Sequence, residues 1–186
     1  MNRRLMLSGA LAIAAAGALA LSVPAFAALK VGVRAPDFTL PGFKNGAAIT
    51  YSLAEARKKG PVVVYFFPAA FTGGCDLEAH LFAEAADDYA AAGATIIGVT
   101  AGSIERLKEF SADNKRCSGK FPVAADKDAK VAKQWDSTLP VGISNRTSYV
   151  IAPDGKVLFV HSEMNPKQHV ELTLAAVRQW KAGKKG

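Results

Sequence analysis

Val62-Val-Val-Tyr-Phe-Phe67 is an unbroken β-branched and aromatic run held between Pro61 and Pro68. It carries no polar position on either alternation, so a strand built from it must be covered on both faces. Thr95-Ile-Ile-Gly-Val-Thr100 repeats the pattern further on. Two such strands require a sheet with helices packed on both sides. The stretch between them predicts a helix from about Gly74 to Ala92, stopped by Gly93. Leu77, Leu81, Ala85 and Tyr89 form its apolar stripe, widened by Phe82 and Ala86, with Glu78 as a polar break and Glu84, Asp87 and Asp88 on the wet side.

The remaining elements follow from local signals. Leu40 to Gly46 reads as a turn region, and Ser52-Leu-Ala-Glu55 as a capping box opening a short helix. Ser103 starts a helix running to about Asp113, Pro122 to Ala125 is a short strand, and Lys127 to Trp135 a short helix. Thr147 to Ala152, the Pro153-Asp-Gly155 turn and Lys156 to Val160 form a hairpin, and Val170 to Trp180 a last amphipathic helix. The expected class is α/β, a central mixed sheet flanked by helices.

The first 27 residues read as an address. Arg3 and Arg4 form a positive n-region, Leu5 to Val23 is apolar, and Ala25 and Ala27 supply the small-x-small pattern for cleavage before Ala28. An uncleaved anchor helix is the alternative. A cleavable signal predicts a periplasmic or secreted protein, exported by the general route rather than on a twin-arginine signal, with its thiols in an oxidising compartment. Residues 28–186 then form one domain. Past residue 27 no apolar run approaches the ~18 residues of a membrane span, so no stable membrane insertion is expected after cleavage. The chain of 186 residues carries +7, or +5 without Arg3 and Arg4. Basic and aromatic residues do not interleave, so this is no nucleic-acid signature.

Cys75 falls just after a buried strand, at the start of a helix. Unpaired backbone N–H groups and the positive end of the helix favour an anion there, and the thiolate is the nucleophilic form of cysteine. Pro68 stiffens the loop, Thr72 brings a hydroxyl and Gly73-Gly74 let backbone approach closely. On position alone, a reactive thiol and a structural cysteine in a tight turn stand equal.

Pro68-Ala-Ala-Phe-Thr72-Gly-Gly-Cys75 resembles the P-x-x-x-T-x-x-C signature of peroxiredoxins, the alkyl hydroperoxide reductase/thiol-specific antioxidant superfamily of thiol peroxidases on a thioredoxin-like fold. The resemblance covers nearly all of residues 30–180 and is most like the bacterioferritin-comigratory, or Q-type, branch. Val33 to Leu40 is similar to the family's opening strand motif, Phe66-Phe67 and Glu78 also match, and Arg146 looks like its active-site arginine.

The resemblance implies that Cys75 is the peroxidatic thiol, that Pro68, Thr72 and Arg146 form its pocket, and that no metal or organic cofactor is needed. It implies a peroxide substrate, hydrogen peroxide or a small organic hydroperoxide, a thioredoxin-like reductant, and a monomer or weak dimer. Cys117, in the basic loop Asn114 to Lys120, is expected to be exposed, favoured as thiolate by Lys115 and Arg116, and to resolve the Cys75 sulfenate as an intrachain disulfide. A permanent structural disulfide or an idle Cys117 are the alternatives.

Asp76 stands where many relatives have Thr. It is expected to be exposed, screened, and to moderate thiolate formation. Glu78 is either a partner for a positive charge beneath the site or a surface residue. His80 is expected on another face from Cys75, His161 and His169 show no metal spacing, Trp135 and Trp180 are expected in the core, and Tyr65 and Phe66 beneath the site. Competing readings are an exported thioredoxin-like thiol–disulfide oxidoreductase, against which Thr72 stands where C-x-x-C needs a second Cys, and a non-catalytic periplasmic protein with a structural disulfide.

Overall fold

The computed structural model describes residues 28–183, so the predicted export signal lies outside the described residues. Seven strands make one mixed sheet: β1 (Thr39–Lys44), β2 (Ala47–Ser52), β3 (Val62–Phe66), β4 (Thr95–Thr100), β5 (Val123–Ala125), β6 (Thr147–Ile151) and β7 (Val157–Ser162). Their order is β2-β1-β5-β4-β3-β6-β7. The inner trio β5, β4 and β3 is parallel, and β1, β6 and the two edges run antiparallel to their neighbours. The helices are α1 (Leu53–Arg57), α2 (Gly73–Glu84), α3 (Ala86–Ala91), α4 (Leu107–Ala112), α5 (Lys130–Gln134) and α6 (Lys167–Gly183).

β3 is buried at every position, as its unbroken apolar run requires. The period of two splits it between two cores. Val63, Tyr65 and Phe67 pack with α2, α3, α4 and α6, while Val62, Val64 and Phe66 pack with α1, α5 and Trp135. Tyr65 therefore lies beneath the Cys75 helix, but Phe66 does not: its ring sits 5.5 Å from Trp135 on the opposite face. Trp135 is fully buried and Trp180 only half-buried.

Several predicted elements differ, among them the helices from Ser103 and Lys127, each of which opens with a 3-10 turn. Leu40–Gly46 is a strand and hairpin turn rather than a turn region. Gly42 lies between β2 and β5, where an added Cβ would come 2.3 Å from the Val123 carbonyl oxygen. The glycine that reads as a breaker is the residue that permits the strand to close in. Of Val33–Leu40, matched to an opening strand, Thr39 and Leu40 begin β1, and residues 33–38 contribute a single bridge, Arg34 to Lys156. The helix predicted over Gly74–Ala92 bends at Ala85 into α2 and α3, which turns the Tyr89 hydroxyl onto the Val170 carbonyl at 2.8 Å. The predicted stripe is also displaced. Leu77 is exposed, and the covered face carries Cys75, Glu78, Ala79, Phe82 and Ala83.

The Ser52 cap, the Gly93 stop and the β6–β7 hairpin form where predicted, with Ser52 Oγ accepting from the Glu55 N–H at 3.4 Å while the Glu55 carboxylate accepts from Lys58. The two sheet ends that matter for chemistry lie side by side. β3 leads through the Pro68 turn into α2, and its antiparallel neighbour β6 starts directly after Arg146.

Candidate active site

Cys75 occupies the first turn of α2 and is 2% exposed, below the exposed backbone of Thr72, Gly73 and Gly74. Phe66 in β3 pairs with Thr147 in β6, and that register carries Arg146 to the mouth of the helix. The guanidinium uses all three directions of its fork. Nη2 donates to Cys75 Sγ at 3.4 Å, Nε donates to the Met164 carbonyl at 3.0 Å, and Nη1 donates to Glu78 Oε2. A fork so held is fixed in orientation by three separate partners, which a lysine in its place would not reproduce.

Gly74 makes room for this group. A Cβ there would come 3.0 Å from Arg146 Nη2. Thr72 is the N-cap residue of α2, yet its hydroxyl donates to the Ala69 carbonyl at 3.0 Å instead of capping. Its oxygen keeps lone pairs free at the exposed rim, where an incoming O–H donor can reach them. The Pro68 carbonyl accepts from Thr100 Oγ1 at 3.2 Å, tying the turn to the end of β4. The structure thus gathers Cys75, Arg146, Thr72 and Pro68 at one mouth.

Glu78 is fully buried beneath the cysteine, so of its two expected placements the partner to a positive charge is the one observed. Burial raises its carboxyl to about 8 even against the pull of Arg146. His169, without an evident role in the sequence, is also fully buried, with Nδ1 3.5 Å from Glu78 Oε1. Neither is signalled by spacing: Glu78 reads as a break in a stripe, and the Ser148 partner of His169 lies on a distant strand. His80 sits apart, 3.5 Å from Glu84 on the half-exposed side of α2.

Asp76 and Cys117 depart from expectation together. Asp76 is not left to solvent: its Oδ2 accepts from Arg116 Nη2 at 2.8 Å, and Arg116 Nη1 also binds Asp113 at 2.5 Å. The added carboxylate beside the thiol is therefore neutralised by a partner rather than by screening alone. Cys117 is fully buried, not exposed. Its segment closes through the Ser118 N–H to Asp113 and the Gly119 N–H to Ser111, which turns the polar residues outward and the thiol inward. Burial pushes the Cys117 thiol well above its ordinary range, and the nearby Arg116 does not offset this. Tyr65 lies near both cysteines, and both are free thiols in one core. Phe71 joins the two segments, its ring stacked under Arg106 at 3.6 Å and Arg116 at 4.3 Å.

The model of the AhpC/TSA family matches residues 31–160. A chloroplastic peroxiredoxin Q of Sedum lineare is 33% identical over 159 residues, covering 84% of this chain and 82% of that protein. One of Populus jackii is 32% identical, covering 80% and 68%. The crystal structure of peroxidoxin BcpB from Mycobacterium tuberculosis superposes with a TM-score of 0.71 at 30% identity, covering 81% of this chain and 97% of that one.

Proposed function

The chain belongs to the AhpC/TSA family of peroxiredoxins and is a thiol peroxidase, and we propose that it reduces hydrogen peroxide and small organic hydroperoxides through Cys75, with Cys117 as resolving thiol. The observation that carries this reading is the Arg146 guanidinium held 3.4 Å from Cys75 Sγ at the N-terminus of α2. A fixed positive charge and the helix end both stand where negative charge gathers on the sulfur and on the peroxide oxygens.

The Cys75 thiolate attacks the terminal oxygen of the peroxide. The S–O bond forms as the O–O bond breaks, and the departing oxygen takes a proton to leave as water or alcohol. The charge that builds on both oxygens lies near Arg146 and the first backbone N–H groups of α2, an arrangement that acts as an oxyanion hole does. Thr72, Gly73 and Gly74 form the exposed rim by which a peroxide would reach the buried sulfur. Cys75 is left as sulfenic acid. The Cys117 sulfur then attacks it, forming the disulfide and releasing water. Burial of both thiols means that this step follows local opening of the α2 start and of the 113–120 segment. A thioredoxin-type dithiol returns the pair to the reduced state. Export to the periplasm or exterior, resting on residues 1–27, places this chemistry in an oxidising compartment.

Replacing Cys75 with Ser abolishes peroxide consumption on this reading, and sustained turnover by that variant rejects it. Cys117→Ser completes one turnover and then stalls at sulfenate unless an external thiol is added. Thiol counting separates the reading from a static disulfide: reduced protein given one equivalent of hydrogen peroxide loses both thiols in a fast step.

A further inference from the structure

Beneath the site lies a buried contact, Glu78 to His169, that the peroxidase chemistry above leaves without a task. Glu78 and His169 are both fully buried, and Glu78 Oε1 faces His169 Nδ1 at 3.5 Å with no other hydrogen-bond partner. The other carboxyl oxygen, Oε2, is taken by Arg146. His169 Nε2 lies 2.9 Å from the Glu163 carbonyl oxygen. A carbonyl only accepts, so Nε2 carries the proton and the neutral ring presents the Nδ1 lone pair to Ser148 Oγ at 2.8 Å and to Glu78.

The Ser148 hydroxyl donates to Nδ1, so without a further proton Glu78 Oε1 faces that nitrogen in a dry core with no donor of its own. With one, on Oε1 or on Nδ1, the contact is satisfied. The groups facing the pair are Arg146 before β6, Ser148 on β6, His161 on β7 with its ring 4.6 Å from that of His169, Tyr65 on β3, and Cys75 on α2 itself. One guanidinium therefore serves two potential anions, the Glu78 carboxylate and the Cys75 thiolate.

We propose that His169 is a positioning residue for the peroxidase reaction: by sharing one proton with Glu78 across the Nδ1–Oε1 contact it keeps the Arg146 charge available to the Cys75 thiolate. The proposal rests on Cys75 being the peroxidatic thiol. Burial drives both members of the pair toward their neutral forms, raising Glu78 to about 8 and lowering His169 to about 4. At neutral pH the shared proton then resides on Glu78, directed at the imidazole. An asparagine at 169 keeps an amide where Nδ1 stands but does not titrate. Its N–H donates to Oε1, holds Glu78 ionised, and so draws Arg146 away from the sulfur.

The test is the second-order rate of Cys75 oxidation by hydrogen peroxide from pH 5 to 9, in reduced full-chain wild type, His169→Asn, His169→Ala and His169→Asn/Glu78→Gln. The expected result for His169→Asn is a rate about three- to tenfold lower at pH 7, with the midpoint of the pH–rate profile raised by about half to one pH unit. Adding Glu78→Gln removes the shift. A folded His169→Asn with the wild-type rate and midpoint, rescuing an impaired His169→Ala, makes the residue a packing element and overturns the proposal. Imidazole ¹⁵N NMR on the wild-type protein keeps the idea open to refutation even where variants fail to fold. An Nε2–H tautomer whose Nδ1 signal shifts between pH 5 and 9 supports it, and an Nδ1 signal flat over that range overturns it. Wild type inert to peroxide instead rejects the peroxidase reading, a separate outcome.

Discussion

At the scale of single residues, the site is built by a crowding rule as much as by charge. Gly74 sits in the first turn of α2 with Arg146 Nη2 3.0 Å from where its Cβ would be. Alanine is the better helix former by about 1 kcal/mol, so Gly74→Ala is expected to leave thermal stability equal or higher. It also pushes the guanidinium off the sulfur by a few tenths of an ångström, and the rate of Cys75 oxidation is expected to fall about three- to tenfold. Stopped-flow oxidation and a melting curve on one preparation check both halves. A variant equally fast shows that the position of Nη2 is not critical. Cys75, Thr72, Pro68 and Arg146 were legible in the sequence because three share one short motif and the fourth opens a recognisable strand. Of the buried partners, Glu78 was legible only as one of two open placements and His169 not at all, because their roles are settled by contacts between α2, β6 and α6. A lone carboxylate on a helix and a lone histidine after a turn look alike whether they face solvent or a core.

At the scale of elements, the segment carrying Cys117 is tied to the segment carrying Cys75. Arg116 binds Asp76 beside one cysteine and stacks on Phe71 in the turn that precedes it. Any opening that frees Cys117 must break these contacts. A half-buried ion pair of this kind contributes on the order of 1 kcal/mol, so Arg116→Gln is expected to speed iodoacetamide labelling of Cys117 in the native protein about fivefold. Labelling in denaturant should not change, and mass spectrometry of the alkylated peptide gives the ratio. An unchanged native rate shows that the segment opens by another route. Here the sequence misled in an informative way. A loop of Asn, Lys, Arg, Ser and Gly reads as mobile, but its polar groups turn outward around one buried sulfur. β1 was missed for the converse reason: Pro41 and Gly42 are breakers by rule, and Gly42 is tolerated because β5 approaches too closely for any side chain. By contrast β3, β4 and the β6–β7 hairpin were legible, since long apolar runs and a Pro-Asp-Gly turn leave few alternatives.

At the scale of the whole molecule, the buried pair writes itself into stability. Glu78 has an ordinary value of 4.5 and is raised to about 8 by burial, so the folded state holds a proton that the unfolded chain releases. Its contribution is full below about pH 4.5 and is lost as pH rises through 8. His169 is lowered from 6.5 to about 4, so its contribution is full above about pH 6.5 and is lost as pH falls through 4. The two slopes oppose each other between about pH 4.5 and 6.5 and leave the Glu78 term alone above that window. Guanidinium unfolding of the reduced protein should show a decline from pH 6.5 to 8 that Glu78→Gln flattens, by about 1–2 kcal/mol. Parallel curves for the two proteins contradict the assignment. The measurement closest to the central claim is the rate at which one equivalent of hydrogen peroxide converts Cys75 to sulfenic acid in Cys117→Ser, with and without Arg146→Lys. Lysine keeps a charge but loses the three-way fork, and a drop of about tenfold to a hundredfold in a protein with unchanged circular dichroism is predicted. Equal rates would contradict the account.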